Sequence, residues 1–465
     1  MSLTRRSLMR LMGASALAGA ATKLSPATFT AHAADTSGYK ALVCVFLYGG
    51  LDSHDVLIPY DQASYDDFAQ IRSALIAQQS ATRSRSVLLP ITPATSTVLQ
   101  GRELALPPEM SNLKTLFDQQ EAAIIGNVGP LIEPLTREQF FAESVRTPPR
   151  LFSHNDQQAV WQSSEPEGAQ FGWGGLFADA MLNAGANSGG AEFTTITTEE
   201  VGPFLTGQIA APYRVSASGS AQVDVLDELN EGITGERADL LNEIRRQLAA
   251  SDYNGSHILE RDIAKAFSEG LDTNDTYNLA KASITPLSTA FPAGPLAGQL
   301  KAVAETISAR TQLMASRQIF FVGLGGFDTH SAQASSLPTL LTQIDQSLFA
   351  FNTAMKELGL SQNVTLFTAS DFGRTLAVNG DGTDHGWGGH QFVIGGAVRG
   401  GELYGSVPPA AFLHSADSGG GRLIPSLAVD QYAAELGRWF GLSPTELSGA
   451  LPNLGNFNPL TTSFI

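Results

Sequence analysis

One cysteine in 465 residues, Cys44, leaves an intramolecular disulfide without a second partner. It lies in the apolar run 41–47, which reads as a buried strand with the thiol as a small hydrophobe rather than a nucleophile. Basic residues are scarce as well: 28 Lys and Arg stand against 45 Asp and Glu, for a net charge of −17. Such a chain has little with which to neutralise a phosphate backbone, so nucleic acid is excluded as a partner. No apolar stretch is long enough to span a bilayer. No internal repeat is present, and no low-complexity tract beyond the N-terminus. What remains, 43% hydrophobic and 16% charged residues, suits one large globular domain or two smaller ones.

The first 33 residues read as a targeting segment. Thr4-Arg5-Arg6-Ser7-Leu8-Met9-Arg10 is a twin-arginine pattern, a mild apolar stretch follows over 11–21, and Ala31-His32-Ala33 is a small-x-small cleavage site. The expectation is a twin-arginine signal peptide over 1–33 and a single domain over 34–465. The Tat export machinery is then a partner, the location is periplasmic or extracellular, and no stable membrane span survives cleavage.

Four loops carry the chemistry, and each abuts an apolar run rich in β-branched or aromatic residues. Gly49-Gly50-Leu51-Asp52 follows the run 41–48. Gly326-Phe327-Asp328-Thr329-His330 follows 319–322. Ser370-Asp371-Phe372-Gly373-Arg374 follows 364–368. Asp384-His385-Gly386-Trp387-Gly388-Gly389-His390 precedes 392–394. A helix-length segment, 336–358, joins the second and third runs. That is a βαβ unit, and it predicts two parallel neighbouring strands. Asp328 and Asp371 would then sit at carboxyl ends of parallel strands, where open α/β sheets place ligands.

Carboxylates and imidazoles at strand ends are the donors that hold divalent cations. Arg374, just past a strand end, is placed either to clamp an anionic oxygen or to pair with Asp371. Ser153-His154 opens a predicted helix, with Ser153 or Asn155 as its cap. Elsewhere the periodicity predicts helix over 60–80 and 111–120, a second core strand over 122–128, and a surface excursion over 81–108. It also predicts helices within 222–311 (238–248, 258–267 and 296–314), and an amphipathic C-terminal helix carrying Tyr432, Leu436, Trp439 and Phe440.

Taken together, the twin-arginine start, Gly49-Gly50-Leu51-Asp52, Ser153-His154 with Gln157 and Trp161, and the Asp328, Asp371 and Asp384-His385-Gly386 motifs resemble the DUF1501 family of exported bacterial proteins. That group is of uncharacterised function and belongs to the alkaline phosphatase/sulfatase-like superfamily. The resemblance covers nearly the whole chain after the signal. It implies an α/β fold with an alkaline phosphatase-like, mostly parallel central sheet, helices on both faces and a helical insertion at about 222–311.

It also implies a site for a divalent metal ion, Zn, Mg, Mn or Ca. Asp52 would bridge to metal, Asp328 and His330 would bind one ion, Asp371 the other, and His385 or His390 would add a last imidazole. Phe372 stands where the superfamily carries a histidine after that second aspartate. Ser153 and Thr147 are the positional candidates for a nucleophile. A formylglycine sulfatase built on Cys44 is excluded, because Val45-Phe46-Leu47 does not match the required x-P-x-R. Ser153, His154 and Arg374 are thus the candidate catalytic residues, and Asp52, Asp328, His330, Asp371, His385 and His390 the candidate metal ligands.

The expected activity is hydrolysis of a small anionic ester, a phosphate or a sulfate. The alternative is a non-catalytic cell-envelope or extracellular protein with a degenerate or structural metal site. A third reading, metal-free acyl hydrolysis by Ser153 and His154, requires a carboxylate behind His154.

Overall fold

The computed structural model describes residues 34–94, 99, 101–216, 219–220 and 258–465. The predicted signal and the predicted helix at 238–248 lie outside them. In chain order the strands are β1 (Lys40–Leu47), β2 (Ile58–Pro59), β3 (Leu89–Ile91), β4 (Leu104–Leu106), β5 (Ala122–Gly129), β6 (Thr195–Thr197), β7 (Tyr213–Ser216), β8 (Gly219–Ser220), β9 (Arg317–Leu324), β10 (Val364–Ser370), β11 (Arg374–Val378), β12 (Thr383–His385), β13 (Gly389–Ile394), β14 (Leu403–Gly405) and β15 (Leu427–Ala428).

A run apolar on both faces must be covered on both faces, which a strand achieves only inside a sandwiched sheet. β1 is such a run, buried from Ala41 to Leu47. It lies near the middle of the main sheet, whose order is β14-β5-β13-β10-β1-β9-β6-β7-β8 with β15 also on β5. Ala41, Val43, Val45 and Leu47 face one core, shared with the helices Ser111–Asp118, Pro295–Ser308 and Gln333–Glu357. Leu42, Cys44 and Phe46 face the other, shared with Trp173–Asn183, Val429–Phe440 and Pro444–Ala450. Each large apolar side chain so buried contributes roughly 1.5–3 kcal/mol. A charge placed at Val43 or Cys44 would therefore split one of the two layers.

The register sets the site. β1 pairs in parallel with β9 (Leu47 opposite Leu324) and with β10 (Leu47 opposite Ser370), so the three strands end level. The loops bearing Asp52, Asp328 and Asp371 therefore leave from one edge. β13 runs antiparallel to β10, so its first residues, and the 385–388 loop before it, arrive at that same edge.

Four expectations change. β9 and β10 are parallel but not neighbours, because β1 pairs with both and lies between them. The 25-residue helix Gln333–Glu357 is long enough to cross over an intervening strand. His390 lies within β13 rather than in a loop. The 81–108 segment is only partly superficial. β3 and β4 join β2 in a small sheet that buries Leu104, Ala105 and Leu106, and the buried Arg83 pairs with Asp55 and Glu109, at 2.9 Å each. Finally, the helix predicted over 296–314 spans Pro295–Ser308.

Candidate functional site

Close approach of two loops comes first. Gly49 has φ of +112°, and a Cβ there would lie 2.2 Å from the Asp328 backbone nitrogen. Only glycine permits both the conformation and the contact. With the β1 loop pressed in this way, Asp328 emerges beside the carboxyl ends of β9 and β10.

Three imidazoles turn toward Asp328. The Nε2 atoms of His330 and His385 each lie 3.2 Å from Asp328 Oδ1, and His154 Nε2 lies 3.5 Å from Oδ2. Ligand atoms of His154, Asp328 and His385 all fall within 4.8 Å of one another. Each ring is held from behind through Nδ1: His154 by Asp371 Oδ2 at 2.6 Å, His385 by the Phe152 carbonyl at 2.7 Å, and His330 by Asp384 Oδ1 at 3.3 Å. An oxygen of this kind only accepts, so Nδ1 of His154 and of His385 is the N–H donor, and in the neutral ring the lone pair is then on Nε2. That is how proteins orient metal-binding histidines.

Two further observations fit a cation. His330 Nε2 and His385 Nε2 approach to 2.8 Å. With His385 Nδ1 donating to Phe152, that contact is closed either by a proton on His330 Nε2 or by a cation shared between the two nitrogens. His154 Nε2 is buried and has no hydrogen-bond partner. The converging atoms, two imidazole nitrogens from His154 and His385 and one carboxylate from Asp328, also form a donor set that suits Zn²⁺.

The electrostatics follow the packing. The bond from Asp371, opposed by burial, raises the His154 pKa, while burial lowers that of His385. Burial works against the charge on Asp328, but Arg374 outweighs it and holds the carboxyl below its usual range.

Arg374 is buried and pairs with Asp328 at 2.7 Å rather than with Asp371. It also donates to the Gly49 carbonyl, to Thr383 Oγ1 and to the Thr383 carbonyl. Asp371, fully buried, accepts from His154, Gln158 Nε2 and the Gly49 amide, and its Oδ1 is unpartnered. Phe372, at the position lacking a histidine, stacks its ring against those of His154 and His385, at 4.8 and 4.6 Å between centroids.

Two expected ligands lie apart. Asp52 is buried in a bidentate pair with Arg72, at 2.6 and 3.1 Å, and accepts from Gln333 at 2.6 Å. Burial opposes its charge, but Arg72 prevails and its pKa is lowered. Its oxygens are thereby engaged away from the imidazole cluster. His390 is buried on β13, where its Nδ1 accepts from the Asn127 amide at 3.0 Å.

Ser153 is the helix N-cap residue, but its hydroxyl donates to Asp156 at 2.8 Å rather than facing His154. The carboxylate behind His154 that acyl hydrolysis requires is present in Asp371, while the serine is not aligned with it. Sequence reasoning missed Gln158, one helical turn from His154 and bonded to the same carboxylate. It also missed Phe152, whose carbonyl holds His385, and nothing in the local pattern marks either.

An α/β sheet whose level strand ends carry an imidazole–carboxylate cluster defines the class of the molecule. The chain belongs to the DUF1501 family, described as proteins of unknown function, whose model matches residues 39–441. No curated relative matches the chain. Among solved structures it is similar to the PsFucS1 sulfatase from Pseudoalteromonas sp., at 9% identity over 87% of this chain and 68% of that one, with a TM-score of 0.36. It is also similar to the C-terminal periplasmic domain of EcEptC from Escherichia coli in complex with Zn, at 8% identity over 78% and 75%, TM-score 0.29. A third is the phosphonate monoester hydrolase SpPMH from Silicibacter pomeroyi, at 11% identity over 78% and 70%, TM-score 0.27. Likeness this low carries nothing about activity. No described helix is long and apolar enough to cross a membrane.

Proposed function

We propose that the protein is an exported, metal-dependent hydrolase of phosphate or sulfate esters. One observation carries the reading: His154 and His385 converge with Asp328, each with Nδ1 hydrogen-bonded to an oxygen behind it, and His330 lies beside them. The ester class comes from the superfamily that the motifs resemble, and export from the twin-arginine start.

His154, His385 and Asp328 would hold the ion, with His330 Nε2 adjoining His385 and Asp328. When bound, it would polarise a phosphoryl or sulfuryl oxygen. Asp371 keeps the His154 ring in one tautomer. Arg374 fixes Asp328 and, through Gly49 and Thr383, ties three loops together. Phe372 excludes water from one side of the imidazoles.

The second reading, a non-catalytic envelope or extracellular protein with a structural metal, draws on Ser153. Its hydroxyl is spent on Asp156, so it offers no nucleophile to the cluster. An assay separates the two. The chain after residue 33 is loaded in turn with Zn²⁺, Mg²⁺, Mn²⁺ and Ca²⁺ and given aryl phosphate and aryl sulfate esters. Turnover that His385→Ala abolishes supports the hydrolase. Bound metal with no turnover of either ester supports the structural role.

A further inference from the structure

An arginine that recognises a substrate anion must have N–H groups left to give. Arg374 has few, because Asp328, Gly49 and Thr383 take four of its hydrogen bonds inside the protein. Arg72 and Arg83 are likewise buried and neutralised, by Asp52 and by Asp55 with Glu109. Arg422 differs. It is part-buried, and no carboxylate pairs with it among the described residues. Its Nε donates to the His385 carbonyl at 2.7 Å and its Nη1 to the Gly419 carbonyl at 3.0 Å, while Nη2 has no partner there.

Its position is built by the same parts that build the imidazole cluster. The guanidinium lies over the Phe152 ring, 5.2 Å from its centroid. The Phe152 carbonyl is the acceptor that fixes His385 Nδ1. Phe152 has φ of +73°, a conformation costly for an aromatic residue, which such contacts over-determine. Gly421, just before Arg422, has φ of +74°, and a Cβ there would lie 2.3 Å from Leu376 Cβ. Both the platform and the backbone of Arg422 are therefore fixed, and its Nε is bonded to the backbone carbonyl of His385, the residue whose Nε2 faces Asp328. A cation held unneutralised beside a site for another cation is repelled by it. An anion bound between them removes that cost.

We propose that Arg422 is the substrate-recognition residue, gripping a tetrahedral oxyanion, phosphoryl or sulfuryl, beside the His154–His330–His385 cluster. This rests on reading the cluster as the hydrolase site, and it deepens that reading by naming the group that selects the anion. A guanidinium with a free Nη2 edge suits such an oxyanion better than an ammonium does.

The test uses binding rather than turnover. Metal-loaded chain is titrated with inorganic phosphate and with inorganic sulfate by calorimetry, with metal content and circular dichroism measured on each sample. Arg422→Gln keeps an amide for the His385 carbonyl and is expected to retain metal while anion affinity falls about ten- to hundred-fold. Arg422→Lys is expected to recover part of the affinity. Arg146→Gln, at an exposed residue paired only with Glu133 at 3.5 Å, is expected to bind as the unmodified chain does. Anion affinity unchanged in Arg422→Gln overturns the proposal. So does metal loss in that variant with the fold intact, which makes Arg422 a positioning residue for His385. Binding of metal but of neither anion by the unmodified chain overturns it too. Absence of ester turnover alone counts against the hydrolase and leaves the anion measurement standing.

Discussion

Replacing Asp371 by asparagine separates metal binding from folding. Asp371 is fully buried just past β10. One oxygen takes three hydrogen bonds, from His154 at 2.6 Å, Gln158 at 2.9 Å and the Gly49 amide at 3.2 Å, and the other takes none. Burying a carboxylate costs several kcal/mol even after relaxation, and here half of it is uncompensated. A neutral amide of the same shape costs less to bury, and its oxygen still accepts. The metal-free Asp371→Asn protein is therefore expected to melt at or above the temperature of the unmodified chain. Metal binding moves the other way. The charge-assisted bond that fixes the His154 tautomer is lost, and removing a support of this kind lowers metal affinity about 10–100-fold, or roughly 1.4–2.7 kcal/mol. Competition against a chromophoric chelator reads the affinity, and a thermal melt of the metal-free protein reads the stability. Unchanged affinity would refute the claim that Asp371 orients a ligand. Affinity and stability falling together would make it a structural residue only.

Three further outcomes follow from buried groups near the site. His54 and His390 are held neutral by burial, with pKa values of about 4 and about 3, against about 6.5 in an unfolded chain. Their folded values are depressed, so their contribution is full above about pH 6.5 and is lost as pH falls toward 4. By pH 5 the loss is roughly 2 kcal/mol for each histidine. Urea melts at pH 7.5 and 5 are expected to show it, and His390→Asn to reduce it; a flat profile would contradict the assignment. Arg72→Met leaves Asp52 charged and buried and is expected to cost about 3–5 kcal/mol in urea unfolding, with Arg72→Met/Asp52→Leu recovering much of it. A near-neutral single variant would count against that pair. Gly49→Ala must move the Asp328 backbone, so metal affinity and urea midpoint are expected to fall together, and unmodified behaviour would show that the loops do not press as described.

How much of this was legible in the sequence depends on the range of the forces involved. Strands β1, β5, β9 and β10 were readable because continuous apolar runs demand cover on both faces. Their order was not readable, since periodicity says nothing about which strand inserts between β9 and β10. Asp328, His330, Asp371 and His385 were marked by glycine-flanked loops after apolar runs, and the structure brings them together with His154. Asp52 and His390 carried the same local signal but were diverted by remote partners. Arg72 and Gln333 hold the first, and the Asn127 amide holds the second. No spacing rule connects position 52 with 72 or 333. Arg374 lies beside the cluster, and its partner is Asp328, 46 residues away in sequence, rather than the nearby Asp371. Arg422 follows Gly419-Gly420-Gly421, a cue to unusual backbone, but its neighbours Phe152 and His385 come from distant segments.

Metal content tests the central claim most directly. Purified chain after residue 33 is reconstituted with Zn²⁺, Mg²⁺, Mn²⁺ or Ca²⁺, dialysed and measured by elemental analysis, beside an Asp328→Ala/His330→Ala variant with circular dichroism on both. The expected result is stoichiometric metal in the first and its loss in the second with the fold intact. No retained metal in either protein, with any of the four ions, would contradict the account.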